Sequence, residues 1–231
     1  MNITLITGVW KRPEVFELFA KGVKALPIEL RVIVAGSEGE SSRRMVEAHG
    51  FEYIETPNSP LSNKMNATSL AAKGSDYVIC MGSDDIIHPK LMEQYLVWMQ
   101  QGYDFIGSTD YYFYDLENNK ALYWGGYIDK KRKGETVGAG RIFSKKLMND
   151  CNWMLWADGV DGGLDSTSKV NIKGKVKTFS LRYLGLFAVD LKSSTNITPF
   201  KLWKNTRFID ERLIRFVFKN IFEQNSTNGN T

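Results

Sequence analysis

The sequence predicts an α/β fold: a mostly parallel, Rossmann-like sheet flanked by helices on both faces. Three observations lead there. Short apolar runs, without the polar alternation of a half-exposed sheet, recur through the first hundred residues. Segments of helical periodicity separate them. Each run ends in a loop rich in Gly, Ser, Asn and charge, which is where ligands bind to such sheets.

The first strand is "NITLIT" over 2–7, ended by Gly8. Pro13 suits the first position of a helix, and Val15, Leu18, Phe19, Val23 and Leu26 then recur at helical spacing. "IELRVIVAG" is the second strand. "SSRRMVEAHG" follows as a short helix with serine caps and a Gly50 stop. "FEYIE" is the third strand, Leu61 to Lys73 the next helix, "YVICM" the fourth strand. Leu91, Met92, Tyr95, Leu96 and Met99 mark a helix opened by Pro89, and "YDFIGS" begins a fifth strand. Four loops therefore gather at the ligand end: Gly8–Arg12, Gly36–Ser42, Thr56–Asn63 and Gly82–His88.

Beyond residue 108 the texture changes. "STDYYFYDLENNKALYWGGY" reads as two aromatic strands joined at Glu117–Asn119, the start of a smaller mixed sheet. "VGAGRIFSKKLMND" runs from a Gly-rich turn into a helix, and "VKTFSLRYLGLFAVDLKS" supplies late strands. Asn205 to Gln224 reads as one patterned helix, and "NSTNGNT" as a disordered tail.

Composition bounds the function. The 231 residues are 43% hydrophobic, enough for one sizeable core, and no apolar run approaches the roughly 18 residues of a membrane span. "MNITLITGVWKRP" reads as a strand rather than a secretion signal. Cys80 and Cys151, the two cysteines, fit buried thiols in a cytoplasm. The net charge of +4 permits an anionic ligand without demanding one. Serine-hydrolase, zinc-protease, P-loop and zinc-finger signatures are absent.

The carboxylates carry the chemistry. "YVICMGSDDIIHP" ends a buried strand on Asp84 and Asp85, two charges that repel. They are either a solvated turn capping the next helix or a hard-cation site for Mg²⁺ or Mn²⁺, which would remove the repulsion and hold phosphates.

These residues resemble glycosyltransferase family 2, whose members use nucleotide sugars on a GT-A fold. "SDYVICMGSDDIIHPKLME" is similar to the family's metal-motif strand, "PNSPLSNKMNATSLAAKG" to the stretch before it, and "LITGVWKRPEVFELFAKGVKAL" to the opening strand and loop. The resemblance spans roughly residues 2–107. It implies donor contacts from Thr7, Gly8, Arg12, Asn63, Lys64, Ser83 and Asp84, with Asp84 the metal ligand and Asp85 its helper or structural partner. Gly82 stands where the family has its first aspartate, and Glu38 where an acidic residue flanks the nucleotide base. Lys192, in "VDLKS", stands at a late position that meets the diphosphate. On the acceptor side the resemblance implies a bordering turn at Gly138 and Gly140, with Arg141 facing a phosphate or an acceptor, Trp156 as a further acceptor contact, and an aspartate as catalytic base. Asp165 is favoured for its helix-start setting, Asp161 comes next, and Asp158 is a third candidate. Each is otherwise a turn or capping aspartate.

The implied organisation is a single GT-A domain over 1–224: a nucleotide-sugar half (1–107), an acceptor half (108–204) and a C-terminal helix (205–224). The implied reaction is transfer of a hexose or pentose, with inversion, from a nucleotide sugar, UDP-linked by preference. The acceptor is a saccharide or a hydroxymethylated DNA base of the phage-modified kind. The aromatics of 110–127, with Trp153, Trp156 and Trp203, are either sheet packing or a stacking wall. Lys130–Lys133 and Lys169–Lys177 supply charge for DNA. The amphipathic 205–222 segment packs on the domain, on a second subunit, or on a membrane. The competing function is an inactive relative that binds nucleotide, saccharide or nucleic acid, an option kept open by Gly82.

Overall fold

A computed structural model describes residues 1–193 and 205–223. The chain runs β1 (Ile3–Gly8), α1 (Pro13–Lys24), β2 (Arg31–Gly36), α2 (Glu40–Glu47), β3 (Glu52–Glu55), α3 (Leu61–Ala71), β4 (Tyr77–Cys80) and β5 (Asp85–Ile87). It continues through α4 (Pro89–Gln100), β6 (Phe105–Ser108), β7 (Tyr111–Asp115), β8 (Lys120–Trp124), β9 (Arg141–Ser144), α5 (Lys145–Asp150) and α6 (Leu164–Thr167). A 3-10 turn (Ser168–Asn171), β10 (Val176–Phe179), α7 (Leu181–Leu184), β11 (Ala188–Lys192), β12 (Thr206–Ile209), α8 (Glu211–Val217) and α9 (Lys219–Phe222) complete it.

Among the described residues the strands form two sheets, of order β10-β6-β9-β4-β1-β2-β3 and β12-β8-β7-β11-β5. In the first, β3, β2, β1 and β4 are parallel neighbours, as the alternation of elements predicts. β9 runs antiparallel between β4 and β6. Successive strand residues face opposite sides. Ile6, Ile33, Val78 and Cys80 pack with Met65 of α3, Leu147 of α5 and Trp156. Leu5, Val32, Val34 and Ile79 pack with α1, α4 and the second sheet. Both faces are thus covered, which explains why these strands read as continuous apolar runs.

Two expected elements differ in detail. α2 begins at Glu40 after Gly39, whose φ of 59° suits glycine, so Ser41 and Ser42 lie inside the first turn instead of capping it. The single helix expected over 205–224 is a strand followed by two short helices. Asp210 accepts the Arg212 amide and so fixes the helix start at Glu211, and the residues before it pair with β8 as β12. Ile214, Phe218 and Ile221 are buried, whereas Phe208 and Phe216 are 72% and 74% exposed, so the wide apolar face read from sequence is only partly packed. Trp203 and the tail 225–231 lie outside the described residues.

Tyr111, Tyr112, Phe113 and Tyr114 of β7 are all buried, as is Trp124 of β8. Their rings meet one another, Phe187 and Phe222 in tilted, stacked or edge-on pairs. The aromatic segment is therefore sheet packing, not an open stacking wall. Among the described residues no helix is long and apolar enough to cross a membrane.

Candidate active site

One cavity of about 300 Å³ opens at the carboxyl ends of β1 and β4, the place the alternating pattern indicates. Gly8, Arg12, Ser83, Asp84 and Lys192 line one part of its wall, and Gly138, Arg141, Trp156 and Asp165 another. Leu61, Met65 and Phe143 give it an apolar floor.

Arg12 caps the entry to α1 and turns its guanidinium onto the motif loop. Its Nη1 lies 2.6 Å from Asp84 Oδ2 and its Nη2 donates to Ser83 Oγ at 3.2 Å. Asp85 goes the other way. It begins β5, is 4% exposed, and accepts the Gly82 amide at 2.7 Å on Oδ2. β5 pairs with β11, which sets Asp85 opposite Asp190. Desolvation, with the charges of Asp190 and Asp84, pushes the Asp85 carboxyl well above the usual range. Asp85 is therefore withdrawn beneath the cavity, and its expected place beside Asp84 as a direct metal helper is corrected by its membership of the second sheet. A Cβ at position 82 would fall on Asp84 Oδ1 and stand 2.8 Å from Asp85 Oδ2, so a larger residue there would shift these carboxylates.

Asp190 was not found from the sequence, although Lys192 was. It lines the cavity and holds Lys192 Nζ at 2.6 Å. Burial and the Asp84 charge push its carboxyl up to about 7, against the pull of Lys192. The signal was available in "AVDLK": a carboxylate and an ammonium two apart on one strand, between buried Val189 and Leu191.

The other expected donor residues support the wall or stand apart from it. Lys64 is buried behind Gly8 and donates to the Val9 carbonyl at 2.8 Å, with Ser37 and Asn58 at 3.3 Å. Burial lowers its pKa. Thr7 is buried in β1, away from the lining. Glu38 accepts the Lys11 amide at 2.9 Å, joining the loops after β1 and β2. Asn63 accepts the Gly159 amide at 3.1 Å.

On the acceptor side, Asp165 opens α6 and its carboxylate is held by the Tyr127 hydroxyl and by Arg132, which stacks 3.6 Å over the Tyr127 ring. Burial would raise its pKa, but these two donors and the charge of Arg141 outweigh it and hold the carboxyl below the usual range. Asp161 lies outside the lining and is occupied in capping α3, accepting from Ser59 Oγ and the Leu61 amide, both at 2.8 Å. Asp158 is exposed and also outside the lining. Gly140, at φ 73°, shapes the turn: its amide donates to Cys80 and its carbonyl accepts from Tyr95.

Arg141 is 2% exposed. Its guanidinium donates to the Thr136 carbonyl at 2.6 Å, the Val137 carbonyl at 3.0 Å, and the Asp165 carbonyl and Ser168 Oγ at 2.7 Å. The expectation that it faces a phosphate or acceptor gives way to a brace, because its guanidinium ties the 136–137 turn to Asp165 and Ser168. Arg141→Lys should then cost about 2–3 kcal/mol in a denaturant melt, since lysine cannot reach several buried acceptors at once.

Among the described residues no three His, Cys, Asp or Glu side chains form a ready-made metal cage. The carboxylate oxygens at the motif still suit a hard cation, and Asp85 Oδ1 and Asp190 Oδ1 are buried without a hydrogen-bond partner.

Comparison with known proteins bears on this geometry. The profile described as "Glycosyl transferase family 2" matches residues 13–151. No curated protein matches by sequence. Among solved structures, S. aureus TarS (1–349) aligns at a TM-score of 0.58 and 11% identity, over 83% of this chain and 60% of that one. The mannosyltransferase PcManGT from Pyrobaculum calidifontis, in complex with GDP-Man and Mn²⁺, aligns at 0.57 and 12% identity, over 87% of this chain and 58% of that one. The chain thus spans about three fifths of the length of these two structures, and the likeness establishes a GT-A-like fold. With the profile covering more than half of its length, the chain belongs to glycosyl transferase family 2.

Proposed function

We propose that the protein transfers a sugar from a nucleotide-sugar donor, UDP-linked by preference, to an acceptor hydroxyl, with Mn²⁺ or Mg²⁺ as cofactor. The observation that carries this reading is the single cavity walled by Arg12, Ser83, Asp84 and Lys192 on one side and by Asp165 on the other. Such a wall offers cations and a metal-binding carboxylate to a diphosphate, and a base to an acceptor. PcManGT, with its GDP-Man and Mn²⁺, is a fold relative consistent with this.

Asp84 would hold the cation, which would supply charge neutralisation to the leaving diphosphate. Arg12 and Lys192, now paired with Asp84 and Asp190, turn to the diphosphate oxygens. Asp165 accepts the acceptor's proton as its oxygen bonds to the anomeric carbon and the bond to the diphosphate breaks. Its low pKa keeps it ionised at neutral pH, and Tyr127 with Arg132 orients it. Attack from the face opposite the diphosphate inverts the anomeric centre.

A saccharide acceptor is favoured over DNA. The aromatic strands are buried, Arg132 is engaged with Asp165 and Glu135, and Lys169 lies 2.6 Å from Glu135. Lys130, Lys131, Lys133, Lys173 and Lys175 stay exposed, so the preference for a saccharide is carried by the buried aromatics and not by a lack of basic surface.

The test is a thermal-shift panel of nucleotide sugars with Mn²⁺. A UDP-sugar at about a hundred times its Kd should stabilise the protein by about 2.7 kcal/mol, and Asp84→Ala should lose the Mn²⁺-dependent part. An Asp84→Ala variant that responds like the parent would show that the cation binds elsewhere. Transfer assays on saccharides and on hydroxymethylcytosine DNA then separate the two acceptors.

A further inference from the structure

We propose that Asp190 supplies the second carboxylate of the cation site, the one that Gly82 does not provide. This rests on the reading that Asp84 binds a divalent cation, and it names a residue from another strand, β11.

Four observations support it. First, position 82 has no room for a carboxylate in the present turn: its Cβ would meet Asp84 Oδ1 and Asp85 Oδ2. Restoring an acidic residue there would push both from their places. Second, β11 is bound to the motif itself, not merely near it. The Leu191 amide donates to the Asp84 carbonyl at 2.7 Å, and Asp190 is in register with Asp85. Third, Asp190 and Asp84 line the same cavity, close enough for the charge of Asp84 to act on Asp190. Fourth, two buried carboxylate oxygens at this place, Asp190 Oδ1 and Asp85 Oδ1, have no hydrogen-bond partner.

A cation of this kind takes one or two carboxylates and completes its shell with phosphate oxygens and water. Asp84 and Asp190, both on the cavity wall, would meet that requirement, and the two basic side chains now on them, Arg12 and Lys192, would then be available to the phosphates. Lys192 therefore competes with the cation for Asp190.

The test is direct binding of Mn²⁺ to full-length protein, read by the loss of the free-ion EPR signal, with Mn²⁺ alone and with Mn²⁺ plus UDP. Asp190→Asn keeps the size of the side chain, and circular dichroism checks its fold. It should weaken Mn²⁺ binding by about 10- to 100-fold. Lys192→Gln, which leaves the Asp190 carboxylate and removes its competitor, should tighten binding of Mn²⁺ alone; a merely structural Asp190 would not produce these opposite signs. If Asp84→Ala loses Mn²⁺ while Asp190→Asn binds it like the parent, the assignment of Asp190 is overturned and that of Asp84 stands. If the parent binds no Mn²⁺ under either condition, both are overturned.

Discussion

Asp165→Asn should reduce sugar transfer by about 10²- to 10⁴-fold, the usual worth of a general base, and leave the nucleotide-dependent thermal shift intact. The asparagine can still accept from Tyr127 and Arg132, so the wall keeps its shape and only the proton acceptor is lost. Asp161→Asn is the matched control. Its carboxylate caps α3 outside the cavity, so the variant should keep transfer and lose about 1 kcal/mol of stability. Steady-state rates with donor in excess decide the matter. An active Asp165→Asn beside a dead Asp161→Asn would move the base to the α3 cap, against the geometry.

The second large effect is on stability and its pH dependence in the metal-free protein. The Asp190 carboxyl is held at about 7, against an ordinary 3.8 in the unfolded chain. Between those values the folded state binds more protons than the unfolded one, and Asp85, raised by the same burial and mutual charge, adds to the difference, so stability falls as pH rises through the window. At about 1.4 kcal/mol for each pH unit, the loss reaches up to about 4 kcal/mol. Urea titrations in EDTA from pH 4 to 8 should show this decline. Asp190→Asn, which removes the charge opposite Asp85, should flatten the slope and be the more stable protein at neutral pH. A parent whose stability rises steadily through the window, or an Asp190→Asn with an unchanged slope, would mean that Asp190 folds already ionised.

The fold was legible in the sequence where burial writes a pattern. β1 to β4 and the helices between them follow from apolar runs and 3.6-residue spacing, because both sheet faces are covered and no other arrangement buries those residues. Legibility failed where a residue's role depends on a partner far along the chain. Asp85 read as a cavity carboxylate because its neighbours in sequence face the ligand end; its pairing with β11, about a hundred residues on, turned it inward. Arg141 read as a ligand-facing cation because nothing nearby in sequence shows the carbonyls it binds. The segment 206–209 read as helix because its apolar spacing runs on smoothly across Asp210, and only the cap at Asp210 ends the pattern. The place of Asp165 in the first turn of α6 was legible because that setting is local, a helix start after glycines.

The short strand β5 has a consequence for how such a protein is made and how it can evolve. Three residues immediately after the donor motif are hydrogen-bonded to β11, so the motif belongs to a sheet whose other members arrive late in synthesis. A ribosome that has released the first 107 residues has produced β1 to β5 but not the strand that pairs with β5. The half-built chain therefore carries two adjacent aspartates with no fixed geometry until residue 192 emerges. By the same logic, a recombination event that joined this donor half to another acceptor half would have to bring a matching strand at β11, with a compatible residue opposite Asp85. Exchange of acceptor segments among relatives is thus constrained at that single register, and drift in acceptor preference should accumulate in the loops around β8 and β9 instead.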